Sequence, residues 1–113
     1  MADLSAVKFV SVPELAERFD TTPGRVRQLI EQKLIGAFRV DGVVRIPEAF
    51  LVGNEPLASL QGTLVVLEDA GFSNEEAMDW LFEEHEALGM TPIASLQAGH
   101  KSQVRRLAQS LAY

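Results

Sequence analysis

The chain of 113 residues contains no cysteine, is 47% hydrophobic and has a formal net charge of −6. This length fits one compact domain or two very small ones, and the hydrophobic fraction excludes a disordered tail. The absence of cysteine excludes disulfides and thiolate metal sites, and the overall acidity disfavours simple electrostatic attraction to an anionic partner.

The first predicted helix begins at Ser11. Ser11 and Glu14 have the spacing of a capping box, in which each side chain accepts a hydrogen bond from the backbone N–H of the other residue. Apolar residues then recur at helical spacing and define one face of the helix, namely Leu15, Ala16 and Phe19.

A second helix is predicted over residues 22–32. The chain breaks at Asp20-Thr21, and Thr22-Pro23 supplies an N-cap followed by a first helical residue. The inner face of this helix consists of Val26, Leu29 and Ile30. Two short helices joined by a turn of about three residues have the proportions of a helix-turn-helix, whose second helix enters the DNA major groove.

The outer surface of the second helix suits docking on DNA. At about 100° per residue, the positions that point away from the core or lie on its flanks are Gly24, Arg25, Arg27, Gln28 and Glu31. Arg25 and Arg27, on the two flanks, can reach phosphates. Gln28 can approach base edges, as can Thr21 and Thr22 at the start of the helix.

A β-hairpin is predicted directly after the second helix. Asp41-Gly42 separates two β-prone runs, residues 37–40 and 43–46, and Asp-Gly in this position is a strong hairpin signal. A two-residue turn places Arg39 and Arg45 on opposite faces of the ribbon. Unless a bulge resets the register, only one of the two arginines can then face DNA, and the sequence leaves open which one it is.

A helix-turn-helix followed at once by a hairpin is the order of a winged helix. We therefore interpret residues 1–50 as a winged helix-turn-helix domain of a transcriptional regulator. It inserts the helix at 22–32 into the major groove of double-stranded DNA and uses the hairpin at 37–46 as the wing. The candidate DNA contacts are Thr21, Thr22, Gly24, Arg25, Arg27, Gln28, Lys33, Arg39 and Arg45.

Charge is distributed unevenly along the chain. Residues 1–46 hold seven Lys and Arg against six acidic residues, whereas residues 47–113 hold three against ten, which gives net charges of +1 and −7. A local basic patch can bind DNA with modest and steeply salt-sensitive affinity. The acidic part must face away from phosphates or bind something else.

Residues 51–113 are predicted to form a small helical domain that packs on the winged helix, because neither half alone has much core. Helices are expected over 57–70, after a second capping box at Ser73, after Thr91-Pro92, and over 102–112. The predicted fold class is mainly α with a small β-hairpin wing.

No pattern of residues in the sequence indicates catalysis or metal binding. His85 and His100 are fifteen positions apart without a carboxylate frame, and there is no Gly-rich phosphate loop. The aliphatic run at 64–67 is far too short to span a membrane, and no basic segment precedes an apolar run at the N-terminus. We expect a cytoplasmic protein that is not an enzyme and has no cofactor.

The stretch from Ser11 to Pro47 resembles the winged helix shared by MerR and excisionase-like regulators. The order of segments across nearly the whole chain resembles an actinobacterial winged-helix DNA-binding family known as substrates of a Ser/Thr protein kinase. Besides the wing end, the segments that carry this second resemblance are residues 59–64, 68–72, 78–82 and 104–113. The resemblance implies DNA binding by the N-terminal unit, with phosphorylation by such a kinase as the regulatory input.

The C-terminal half is also similar to the helical domain of Xre/ParS-type antitoxins, through residues 70–72, 80–81 and 88–104. This likeness implies self-association or toxin contact. The alternative function is therefore an antitoxin-like or dimerisation module that acts through the acidic C-terminal domain. A third possibility is an adaptor whose winged helix no longer binds DNA. It is favoured by the overall acidity and by Glu31, which repels phosphates unless it accepts from cytosine or pairs with Arg27.

Overall fold

The computed structural model of the protein describes residues 4–111. In chain order the elements are β1 (Phe9–Ser11), α1 (Val12–Arg18), α2 (Pro23–Glu31), β2 (Phe38–Val40), β3 (Val43–Pro47), a 3-10 turn (Glu48–Phe50), β4 (Leu51–Val52), β5 (Glu55–Pro56), α3 (Leu60–Asp69), α4 (Asn74–Leu81), α5 (Pro92–Gln97) and α6 (Lys101–Gln109). The predicted fold class, mainly α with a small β wing, is confirmed.

Local capping chemistry sets the starts of the first two helices. The Ser11 hydroxyl accepts from the Glu14 backbone N–H at 3.2 Å, and Glu14 Oε1 accepts from the Ser11 N–H at 3.3 Å. The predicted capping box is therefore present. The Thr22 hydroxyl accepts from the Arg25 N–H at 3.2 Å, so α2 begins as the sequence predicts.

The hairpin has the register that the sequence predicts. Val40 pairs with Val43, and Arg39 and Arg45 fall on opposite faces because they pair with Val44 and Phe38 respectively. Both turn residues have positive φ, 52° at Asp41 and 79° at Gly42, which is the type I′ geometry that suits the twist of a two-residue hairpin.

Three β-strands were not predicted, namely β1, β4 and β5. β1 pairs antiparallel with β3, so the wing belongs to a three-stranded sheet of order β1-β3-β2. β4 and β5 form a second, two-stranded ribbon across a turn at Gly53-Asn54. Strands of two or three residues are too short to show period-2 alternation, although Gly-Asn between them is a recognisable turn signal.

Two hydrophobic cores flank the hairpin, one on each face. The N-terminal core joins α1, α2 and one hairpin face, with Leu15, Val26, Leu29, Ala37 and Ile46 among its members. The C-terminal core joins the other face to α3–α6, with Phe38, Phe50, Met78, Trp80 and Val104 among its members. Trp80 is buried in this core, with 7% of its surface exposed.

The C-terminal helices confirm the predicted segments with two corrections. The capping box at Ser73 and the N-cap at Thr91 are both present. α3 begins at Leu60 instead of residue 57, because Pro56 pairs in the β4–β5 ribbon and residues 58–59 form a turn. α6 runs over Lys101–Gln109 instead of 102–112, and Ser110 leaves the helix with its hydroxyl donating to Leu107 O at 2.6 Å. Residue 112 lies outside the described residues.

Packing crosses the predicted domain boundary at residue 50. Phe38 belongs to the C-terminal core and Leu51 to the N-terminal core. The Asn74 side-chain amide, at the start of α4, donates to Ala37 O at 3.2 Å, which ties the C-terminal helices to the base of the wing. The division into domains 1–50 and 51–113 stays a prediction. Among the described residues, no helix has the length and apolarity to cross a membrane.

Gly36 lies between α2 and β2 and packs against side chains of the C-terminal core. A Cβ at this position would lie 2.6 Å from Met78 Cε and 2.8 Å from Phe50 Cε2, both in buried side chains. We expect Gly36→Ala to lower the free energy of unfolding by about 1–3 kcal/mol through overpacking. Urea denaturation measures the change. Gly24→Ala is the control, since its Cβ would meet only Thr22 Oγ1 at 3.9 Å. Equal stability of the Gly36 variant and the wild type would contradict this packing.

The α4 capping box makes a pH-dependent contribution to stability. Hydrogen bonds from the Ser73 backbone N–H and from its hydroxyl hold the pKa of the exposed Glu76 carboxyl below its ordinary value of 4.5. Because the folded-state pKa is the lower one, this stabilisation is present above about pH 4.5. It is lost as the pH falls through the folded-state value. We expect acidification to narrow the stability difference between wild type and Glu76→Gln in urea denaturation. Glu75→Gln is the control, because Glu75 is one residue away and outside the capping box. The stability difference between wild type and this variant should change less on acidification.

Candidate nucleic-acid interface

α2 presents a polar surface opposite its buried face. Val26 and Leu29 are 0% and 8% exposed and anchor the helix on the N-terminal core, with Ile30 half-buried beside them. The predicted outward residues are exposed, namely Gly24, Arg25, Arg27, Gln28 and Glu31. The two threonines lie at the start of α2, where Thr22 is exposed and Thr21 is half-buried.

Arg25 and Gln28 form a pair on this surface. Arg25 Nη1 donates to Gln28 Oε1 at 3.2 Å, across one turn of the helix. An exposed contact of this kind contributes only a few tenths of a kcal/mol, so it holds the two side chains loosely. The Gln28 amide oxygen keeps a second lone pair and its NH₂ group keeps two donors, so this amide can still both accept and donate.

Arg39 is the wing arginine beside α2. It is exposed and lines a groove of about 340 Å³ between α2 and the hairpin, together with Arg27 and Glu31. The apolar part of this groove is formed by Ile30, Ala37, Phe38 and Val44. Arg45 lies on the opposite face of the ribbon and is half-buried. The structure therefore brings Arg39, and not Arg45, to the side of the recognition helix.

Ion pairs separate the predicted cations into two groups. Lys33 has positive φ and forms an ion pair with Glu68 of α3, so its charge is already matched. Among the described residues, Arg25, Arg27 and Arg39 have no carboxylate within 4.0 Å. The pairing of Arg27 with Glu31 that the sequence allows is therefore not formed, although both residues line the same groove.

Two further residues at this surface were not predicted. Asn74 lines the groove from the C-terminal half, and nothing in its local sequence signals contact with a strand 37 residues away. Val43, directly after the hairpin turn, is 49% exposed and gives the wing tip an apolar side chain. Within residues 4–111, no group of His, Cys, Asp or Glu has the arrangement of a metal site.

Both halves of the chain match protein-family models. Residues 4–51 match the family described as "DNA-binding protein Rv2175c, wHTH domain". Residues 57–112 match the "Rv2175c C-terminal domain of unknown function". The two models describe two domains of the same family, the winged helix-turn-helix domain and the C-terminal domain.

The chain is similar in sequence and in structure to a known protein over most of the length of both. The chain is 33% identical over 116 residues to DNA-binding protein Rv2175c of Mycobacterium tuberculosis, which covers 90% of this chain and 79% of the relative. The structure is similar to the NMR structure of Rv2175c with a TM-score of 0.87 and 28% identity. That match covers 96% of this chain and 84% of the other.

Proposed function

The chain belongs to the family of DNA-binding protein Rv2175c, and on that premise we propose that it binds double-stranded DNA as a winged helix. α2 enters the major groove and the β2–β3 hairpin is the wing. One observation carries the proposal: Arg25, Arg27 and Arg39 lie on the exposed surface of α2 and on the adjoining hairpin face without carboxylate partners in the described chain.

Arg25 and Arg27 take the phosphates at the two rims of the major groove, since they lie on opposite flanks of α2. Gln28 lies between them and reads a base edge. Its amide both donates and accepts, which suits the N6 amino group and N7 of adenine in the major groove.

Arg39 contacts the DNA from the wing, and Arg45 has a structural position. Arg39 lies in the groove beside Arg27, so both side chains can reach the same duplex. Arg45 is half-buried on the face that the hairpin turns towards the C-terminal core. Lys33 contributes less than the sequence predicts, because Glu68 already neutralises it.

DNA binding by a winged helix supports a role in transcription. We propose a regulator that acts in the cytoplasm, with α2 selecting its sites. The acidic C-terminal helices are then a surface for protein contacts. Phosphorylation by a Ser/Thr protein kinase, self-association and toxin contact stay predictions from the sequence.

The salt dependence of DNA binding tests the proposal. Fluorescence anisotropy of labelled random and genomic duplexes should show saturable binding, with log K falling linearly with log salt concentration. Arg27→Ala should reduce the magnitude of that slope by about 0.9, as expected for one lost phosphate contact. Lys8→Ala is the matched control, because Lys8 is exposed beside Phe82 and Thr91 instead of α2. Absence of binding at low salt would refute the function.

The two wing arginines provide an internal comparison. Arg39→Ala and Arg45→Ala remove the same charge from neighbouring strands. We expect Arg39→Ala to weaken binding roughly five- to tenfold at ~0.1 M salt, the worth of one phosphate contact, and Arg45→Ala to bind as the wild type does. Circular dichroism confirms that both variants are folded. The reverse order of affinities would show that the wing docks through its other face.

A further inference from the structure

The connection between α2 and the hairpin, residues 32–37, contacts α3 at its start. The Gln61 side-chain amide of α3 donates to the backbone carbonyl of Gln32, the C-cap of α2, at 3.0 Å. The next residue of the connection, Lys33, forms an ion pair with Glu68 of the same helix. Gln61 and Glu68 are about two helical turns apart, so both lie on the side of α3 that meets the end of α2.

The other end of this connection contacts α4. A Cβ on Gly36 would lie 2.6 Å from Cε of Met78, so the Met78 side chain packs directly on the backbone there. Asn74 precedes Met78 by four residues in α4, and its side-chain amide donates to Ala37 O at 3.2 Å. Both ends of the connection between the recognition helix and the wing are therefore fixed to helices of the C-terminal half.

The hairpin register explains why the carbonyl of Ala37 is free to accept from α4. Paired residues alternate between hydrogen-bonded and non-hydrogen-bonded positions along an antiparallel ribbon, and Val40 and Val43 are a bonded pair because they flank a two-residue turn. Phe38 is then bonded to β3, and the backbone of Ala37 points away from it. Because β2 is the edge strand of its sheet, the Asn74 amide takes the place of a strand partner there.

The winged helix does not fix the wing to α2 by itself. A groove of about 340 Å³ separates α2 from the hairpin. Val26 and Leu29 anchor α2 in the N-terminal core, whereas Phe38 of β2 belongs to the C-terminal core, which contains no residue of α2. The position of the wing relative to α2 therefore depends on how the C-terminal helices hold residues 32–37.

We propose that α3 and α4 form a clamp on residues 32–37 that positions the wing relative to α2 for DNA binding. Asn74 and Gln61 are its positioning residues. A wing displaced at its base moves Arg39 away from the DNA, because Arg39 is only two residues beyond Ala37. The proposal rests on the proposed DNA binding and gives the C-terminal helices a part in it.

Anisotropy titrations of the full-length chain with the same labelled duplexes test the clamp. Asn74→Ala should weaken binding roughly two- to tenfold, the worth of one neutral hydrogen bond. It should also reduce the magnitude of the salt slope by up to about 0.9, because a displaced Arg39 no longer neutralises a phosphate. The substitution removes no charge, so a smaller slope reports a displaced arginine. Unchanged affinity and slope would overturn the proposal.

Gln97→Ala is the matched control for Asn74→Ala. The Gln97 side-chain amide, on α5, also donates to a backbone carbonyl of the N-terminal half, Ala49 O at 2.9 Å. This bond lies outside residues 32–37. We therefore expect Gln97→Ala to bind DNA with the affinity and the salt slope of the wild type.

A double-mutant cycle separates positioning from loss of fold. Arg39→Ala should weaken binding roughly five- to tenfold in the wild type but less than about twofold in the Asn74→Ala background. Gln61→Ala, at the other end of the connection, should reduce the effect of Arg39→Ala in the same way. Partial unfolding, or a direct contact of Asn74 with DNA, would leave that effect unchanged.

The outcomes distinguish the clamp from the function on which it rests. Equal effects of Arg39→Ala in all three backgrounds, with Arg27→Ala still weaker than the wild type, would overturn the clamp and leave the winged-helix function standing. A wild type that binds no duplex at low salt would overturn both.

Discussion

The β2–β3 hairpin is packed on both faces, and the rest of the structure depends on this. Ala37 and Ile46 enter the N-terminal core, whereas Phe38 enters the C-terminal core. Side chains alternate strictly along a strand, so a slip of one residue would exchange the two faces and empty both cores. The type I′ turn at Asp41-Gly42 fixes the register, and with it the direction of every hairpin side chain.

The same constraint orients the charged residues. Arg39 alternates with Phe38 and therefore lies on the α2 side, beside Arg27. The C-terminal half is held at the base of the wing by the amide of Asn74 and at the end of α2 by the amide of Gln61. These contacts keep α2 and the hairpin in one relative position. A winged helix needs that rigidity, because its two elements must reach the same duplex.

Local signals made most of the fold predictable. The capping boxes at Ser11 and Ser73, the N-cap at Thr22 and the register around Asp41-Gly42 all depend on residues within a few positions of each other, and all are confirmed. The choice between Arg39 and Arg45 could not be made from sequence, because both hairpin faces carry apolar residues. Which hairpin face packs on which core is decided by contacts with helices that lie far away in the sequence. β1 and the short ribbon also escaped prediction, because strands of two or three residues show no alternation.

Net acidity and DNA binding are compatible because electrostatic effects are local. At physiological salt the Debye length is about 8 Å, so a carboxylate on the far side of the C-terminal core has little influence at α2. Carboxylates near α2 have more influence on the potential there, and one of them, Glu68, is already paired with Lys33. A phosphate at α2 then meets a small set of guanidinium groups without ion-pair partners, together with the exposed carboxylate of Glu31. Few phosphate contacts mean weak sequence-independent binding, and a reader of this kind depends on direct contacts such as Gln28 to distinguish its site from other DNA.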